Sequence, residues 1–199
     1  MKNIKSITES QNSQSMDIDT KNIREILEII NQEDHQISQS VKIAIPKIEC
    51  FIKMVVQSFQ LNGRLIYIGS GTSGRLGILD AAECPPTFSV TPYMVRGIIA
   101  GGYNALVGSI EGAEDIPQHG ANEMVKANIN GDDTVLGIAT SSTTPFVIGA
   151  LEKAKELGAS TGFLVCNDTQ KLDFIDVTIS VIVGPEVITG STRMKAGTA

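Results

Sequence analysis

The amino-acid sequence predicts an α/β fold: a three-layer αβα sandwich around a five-stranded parallel sheet, preceded by N-terminal helices. Three observations lead there. Beyond Gly63 the chain alternates short β-branched runs with Gly-rich turns and helix-length spacers. Each run is nearly continuous in apolar residues, as suits a strand covered on both faces, and does not alternate polar with apolar. The spacers are long enough for the crossover helices that parallel strands require.

Met1 to Asp19 is polar and rich in Ser, Gln and Asn. Ile23, Ile26, Leu27 and Ile30 then fall on one helical face, with Asp19-Thr20 as candidate caps. A second helical pattern runs through Ile37, Val41, Ile45, Ile48, Ile52, Val55 and Phe59, and Pro46 is expected to kink or divide it. Asn62-Gly63 ends the helical region. The expected strands are Leu65 to Ile68, Val95 to Ile99, Thr134 to Ala139, Gly162 to Cys166 and Val177 to Val183. Residues 1–62 therefore read as a polar tail with helices that pack on the core, and 63–199 as the α/β domain. No internal repeat or low-complexity linker interrupts it.

The 199 residues include 16 basic and 22 acidic ones, a net charge of −6, with the basic residues scattered. That balance argues against nucleic acid as a partner, since no basic patch is present to meet a phosphate backbone. No apolar run approaches the ~20 residues of a spanning helix, and no leader pattern is visible. Cys50, Cys84 and Cys166 lack the spacing of a disulfide framework or a metal site, so a reducing cytoplasm is expected and no metal. His35 and His119 lack ligand-like spacing and read as ordinary surface histidines.

In a parallel sheet the ligand belongs at the carboxyl ends of the strands. After the first strand stands Gly69-Ser70-Gly71-Thr72-Ser73-Gly74-Arg75. Its glycines permit close backbone approach, while Ser70, Thr72 and Ser73 offer hydroxyls and amides to an anion where a helix begins. The loop also matches G-x-G-x-x-G, but the second strand ends in Ile99-Ala100-Gly101-Gly102 without the acidic residue a dinucleotide requires. A P-loop is excluded, because no G-K-[ST] lysine is present. After the third strand comes Thr140-Ser141-Ser142-Thr143-Thr144-Pro145, a second hydroxyl-rich turn. Read alone it is a helix cap; two such turns at neighbouring strand ends can converge on one phosphate. Among the carboxylates, Glu83 has apolar or rigid neighbours in Leu79 to Phe88, so partial burial would suit it to donate a proton. Glu114 lies beyond the second strand in Ile110 to Asp115; taken alone, either glutamate reads as a solvated or capping acid.

Three segments resemble the N-acetylmuramic acid 6-phosphate etherases, bacterial members of the sugar isomerase (SIS) fold. They are Arg64 to Gly77 (RLIYIGSGTSGRLG), Asp80 to Phe88 (DAAECPPTF) and Gly184 to Ala199 (GPEVITGSTRMKAGTA). The resemblance runs in register from about Ser6 to the end. It implies cleavage of the lactyl ether of N-acetylmuramic acid 6-phosphate to N-acetylglucosamine 6-phosphate and D-lactate in peptidoglycan recycling. It implies no metal or organic cofactor, a small-molecule sugar phosphate as ligand, and a homodimer. By the same resemblance Glu83 is the catalytic acid and Glu114 the base. Ser70, Thr72, Ser73, Ser141 and Thr144 fall on the phosphate-binding positions, and Ser191 and Thr192 on a further string that faces the pocket or caps a closing helix. Where the family reads Ser-Gly-Arg-Thr-Pro, this chain has Ser141-Ser142-Thr143-Thr144-Pro145, which replaces a glycine and removes a cation. The family also continues into a C-terminal helical segment beyond the position of Ala199. A sugar-phosphate sensor and an aldose-ketose isomerase are the competing readings within the same fold.

Overall fold

The computed structural model describes residues 7–199; the first six residues of the expected polar tail lie outside the described residues. Five parallel strands form one sheet: β1 (Leu65–Gly69), β2 (Val95–Ile99), β3 (Thr134–Ile138), β4 (Ser160–Val165) and β5 (Val177–Ser180). Their spatial order is β2-β1-β3-β4-β5. The helices are α1 (Ile23–Asp34), α2 (Ile37–Gln60), α3 (Gly71–Phe88), α4 (Asn104–Val107), α5 (Pro117–Lys126), α6 (Pro145–Glu156) and α7 (Lys195–Thr198). The expected α/β sandwich is the fold observed, with β2 as expected and no strand end shifted by more than three residues.

Alternation along each strand divides the core into two layers. Ile66, Ile68 and Val135 join Met124, Phe146, Val147 and Leu151 of α5 and α6 on one face. Leu65, Leu136 and Ile179 join Ile37, Ala44, Phe51 and Val55 of α2 on the other, where α3 also packs through Ala81 and Cys84. The N-terminal α2 is thus one of the covering helices of the sandwich.

Four local expectations are corrected. Helix α1 is capped by Asn22, not Asp19-Thr20: the Asn22 side chain accepts from the Glu25 N–H and the Glu25 carboxylate accepts from the Asn22 N–H. This reciprocal pair satisfies two otherwise orphaned donors, which neither Asp19 nor Thr20 is placed to do. Pro46 does not divide α2, which runs unbroken from Ile37 to Gln60. Pro46 is exposed, so water can serve the carbonyl that its missing N–H would have met. On α1, Ile26 and Ile30 are half-buried while Ile23 and Leu27 point outward, because the helix rests on the face that carries the buried Glu33. Finally, residues 166–176 join β4 to the parallel β5 without a helix.

At the amino edge of the sheet, Arg64 clasps Asp133 across the starts of β1 and β3. Its backbone N–H and Nε donate to Asp133 Oδ1 at 2.9 Å each, and Nη2 donates to Oδ2 at 2.6 Å. The guanidinium also donates to the carbonyls of Ala127 and Asn128. Asp133 is 1% exposed, and its carboxylate raises the already high pKa of Arg64 through this hydrogen bond. Removing one partner of a buried pair strands the other, at a cost of about 3–5 kcal/mol. Asp133→Ala is therefore expected to lower unfolding stability by about 3 kcal/mol in urea titrations; an unchanged midpoint would refute the role given to the clasp.

Candidate active site

Strand β1 lies between β2 and β3, pairing Gly69 with Ile99 on one side and with Ile138 on the other. The chain leaves β1 into α3 and leaves β3 into α6, and these helices lie on opposite faces of the sheet. A crevice opens at such a divergence, and both hydroxyl-rich loops border it. Gly71 adopts φ +50°, a left-handed value that a β-carbon resists. Gly74 permits the close approach of α3 to the sheet: a β-carbon there would stand 2.6 Å from Ile99 Cγ1 and 2.8 Å from the Gly69 carbonyl oxygen.

Two neighbouring cavities flank the first loop. One, of about 330 Å³, is lined by Ser70, Arg75 and residues 108–114, including Glu114. Its outer wall is held at both ends. Arg75 donates from Nε to the Leu106 carbonyl at 3.1 Å and from Nη2 to the Gly108 carbonyl at 3.0 Å. The Phe146 N–H, in the first turn of α6, donates to the Glu114 carbonyl at 2.9 Å. Thus fixed, the Glu114 carboxylate accepts a short hydrogen bond from Ser70 Oγ, the residue that opens α3.

The second cavity, of about 110 Å³, is lined by Thr72, Ser73, Thr140, Cys166, Thr192 and α7, among others. Thr192, far along the chain, is thereby brought to the first loop. Ser191 lies outside this lining and donates its N–H to the Ile188 carbonyl. Ser141 and Thr144 border the same strand edge, their hydroxyls 3.2 Å apart at the start of α6. In this chain Ser142 Oγ donates to the Asp168 carbonyl at 3.3 Å.

Glu83 stands elsewhere. It is exposed on α3, so the partial burial expected of it is not found within the single chain. Thirteen positions separate it from Ser70, about 20 Å of helix. One chain therefore does not bring Glu83 and Glu114 together. Glu83 shares an outward stripe with Leu76 and Leu79, at steps of three and four, and Phe88 is 69% exposed at the end of the same helix. His35 and His119 are both exposed, and no group of metal-ligating side chains is found among the described residues.

Residues 47–155 match the family described as the glucokinase regulatory protein N-terminal SIS domain. The chain belongs to this SIS-domain family. Among curated relatives, the SIS chain is 48% identical over 193 residues to N-acetylmuramic acid 6-phosphate etherase 2 of Lactiplantibacillus plantarum, covering 96% of this chain and 65% of that protein. It is 52% identical over 194 residues to an etherase of the same name from Caldanaerobacter subterraneus subsp. tengcongensis, covering 97% and 63%. The chain thus spans about two thirds of the length of the relatives it matches. Among solved structures, a phosphoheptose isomerase from Neisseria gonorrhoeae superposes with a TM-score of 0.62 at 20% identity, covering 89% of this chain and 93% of that one. The Vibrio vulnificus NanR protein, complexed with ManNAc-6P, superposes with a TM-score of 0.59 at 13% identity, covering 92% and 60%. These two likenesses establish the SIS fold.

Sequence reasoning did not single out Arg75 as a wall anchor, nor Glu33, Glu186 and Lys195, which meet in the interior. No local pattern announces a buried lysine.

Burial pushes the Cys166 thiol, beside Thr140 and Thr192, up to about 11. The thiolate is the reactive form, so Cys166 is an inert neutral wall at ordinary pH. Iodoacetamide at pH 8 is expected to label the exposed Cys50 and spare Cys166; equal labelling by peptide mass analysis would contradict this.

Proposed function

We propose that this SIS domain is the sugar-phosphate-binding part of an N-acetylmuramic acid 6-phosphate etherase, releasing D-lactate and N-acetylglucosamine 6-phosphate in peptidoglycan recycling. The observation that carries the reading is the identity of about half of all positions, over 193 residues, to a chain named for this activity. The geometry supports it: a carboxylate, Glu114, sits at the mouth of a hydroxyl-lined crevice suited to a phosphate ester. The ligand of the NanR neighbour is itself the phosphate ester of an amino sugar.

In this reading Thr72, Ser73 and Thr192, with Ser141 and Thr144 from the second loop, hold the phosphate, and Ser70 orients Glu114. The open-chain sugar presents an aldehyde at C1, which acidifies the proton on C2. Glu114 removes that proton, and the electron pair forms a C2–C3 double bond as the C3–O bond breaks. Glu83 donates a proton to the departing lactyl oxygen. Water then adds to C3, giving its proton to Glu83, and Glu114 returns a proton to C2. No residue in this scheme calls for a metal or organic cofactor. A cytoplasmic setting accords with three unpaired thiols.

In this reading each site borrows Glu83 from a second copy, which accords with the length of helix between Glu83 and the Ser70 that meets Glu114. A homodimer that covers the α3 stripe would bring Glu83 in with Leu76 and Leu79, and would provide the burial that a single chain lacks. Exposed Ile45, Ile52 and Val56 on α2, which packs on the same face of the sheet, extend that apolar surface.

Incubation with N-acetylmuramic acid 6-phosphate should release lactate; saturable binding alone would indicate a sensor, and a new ketose an isomerase. Glu83→Gln should still exchange the C2 proton with deuterated solvent while lactate release falls ~10²-fold or more, whereas Glu114→Gln should suppress both. Loss of exchange in Glu83→Gln with exchange intact in Glu114→Gln would reverse the roles. Refolding the two variants together tests the shared site. A random mixture should recover about a quarter of wild-type activity, because half of the dimers are mixed and each mixed dimer has one intact site. A mixture as inactive as its components would mean that each site is built from one chain.

A further inference from the structure

A buried polar network that includes neither glutamate of the proposed reaction connects the N-terminal segment to the wall of the phosphate cavity. Lys195 is 1% exposed and Glu186 0%. Lys195 Nζ donates to Glu33 Oε2 at 2.5 Å, and Asn12 Nδ2 donates to the same oxygen at 2.8 Å. The Glu186 carboxylate accepts from the backbone N–H groups of Lys195 at 2.8 Å and Ala196 at 3.0 Å. Asn12 also donates to the Pro185 carbonyl, and Ser15 Oγ to the Val187 carbonyl at 2.6 Å. Further upstream, Asn167 Oδ1 accepts from the Ile7 N–H, while its amide donates to Thr8 Oγ1 and to the carbonyl of Thr140.

The contacts of Asn12, Ser15 and Glu33 converge on residues 185–199, whose side toward the sheet lines the smaller cavity. Thr192, Ala196, Gly197 and Ala199 all face it. A β-carbon at Gly197 would stand 3.9 Å from Thr72 Cγ2 and 3.5 Å from the Thr192 carbonyl oxygen, so α7 sits directly against the first loop. A solvated lysine would serve solubility as well as any other. Burying one against the Glu33 carboxylate, while Glu186 holds its backbone N–H, carries a large desolvation cost, and it fixes a unique geometry in return.

We propose that Glu33, Glu186 and Lys195 form a positioning triad. Through Asn12, it makes the N-terminal segment a brace that sets Thr192 against Thr72 and Ser73 for a phosphate ester. None of the three touches the ligand. The inference rests on the sugar-phosphate reading above and adds to it a dependence of affinity on residues 7–20.

The test uses N-acetylglucosamine 6-phosphate and isothermal calorimetry on the protein and three variants. Asn12→Ala and Glu33→Gln are expected to weaken binding about tenfold, as the loss of a hydrogen bond to a charged group at a placed residue would do. Thr161→Val removes a buried hydroxyl near the opposite edge of the sheet, where it donates to the Phe174 carbonyl. It should lower the melting temperature and leave the dissociation constant unchanged. Equal weakening in Thr161→Val would show that affinity merely follows stability and would overturn the proposal. So would undiminished affinity in Asn12→Ala and Glu33→Gln. A further measurement on the unaltered protein requires no variant to fold: saturating ligand should slow amide exchange in residues 12–18 as well as in 194–198. Slowing in 194–198 alone would break the link to the N-terminal segment. If the unaltered protein does not bind this ester, the sugar-phosphate reading fails and takes the brace with it, whereas normal binding with unaffected variants sinks the brace alone.

Discussion

Strand β1 is paired on both sides, and the chain leaves it toward one face of the sheet while it leaves β3 toward the other. Two helices that begin side by side and diverge cannot fill the space between their first turns. The crevice is therefore a consequence of parallel pairing and strand order. Around it are arranged the Ser70–Glu114 contact, the hydroxyls of both loops, and the late arrival of Thr192. The close approach of α3 to β1 and β2, which only a glycine at position 74 permits, keeps that first turn tight against the sheet.

Among the described residues, buried charge lies at the two ends of the strands. At the amino edge, Arg64 and Asp133 join the starts of β1 and β3; at the carboxyl edge, Lys195, Glu33 and Glu186 join α1, α7 and the segment before α7. Among the described residues no buried side-chain nitrogen or oxygen lacks a hydrogen-bond partner. Buried ions add little net stability relative to apolar replacements, but they penalise every arrangement in which their partners are displaced. That property suits termini, which otherwise fray. Here the two clasps leave the apolar strand centres to supply cohesion and give the loops at the carboxyl edge a fixed frame.

The face that carries α2 and α3 presents apolar side chains to solvent. Leu79 is 57% exposed and Phe88 69%, and Ile45 and Ile52 stand equally open on α2. Glu83 lies within this apolar surface, at a helix position that geometry forbids from reaching Glu114 in its own chain.

The sequence by itself determined the architecture. Continuous apolar runs and helix-length spacers specify parallel, doubly covered strands, because hydrophobic periodicity and crossover length act locally along the chain. The glycines and hydroxyls of the first loop were legible for the same reason, and the strings around Glu83 and Thr192 carried the resemblance to the etherases. Only the tertiary structure decided what lies beside what. Asn22 displaced Asp19-Thr20 as the cap because a capping box depends on two backbone N–H groups three residues apart, those of Asn22 and Glu25, being placed for each other's side chains. Pro46 was tolerated because its carbonyl partner faces water. Glu83 proved exposed because burial is set by what packs against a helix, not by the residues next to it in sequence. The Lys195 network, which joins positions 12, 33, 186 and 195, was invisible in sequence, since contacts between distant residues exist only once the sheet has brought their segments together.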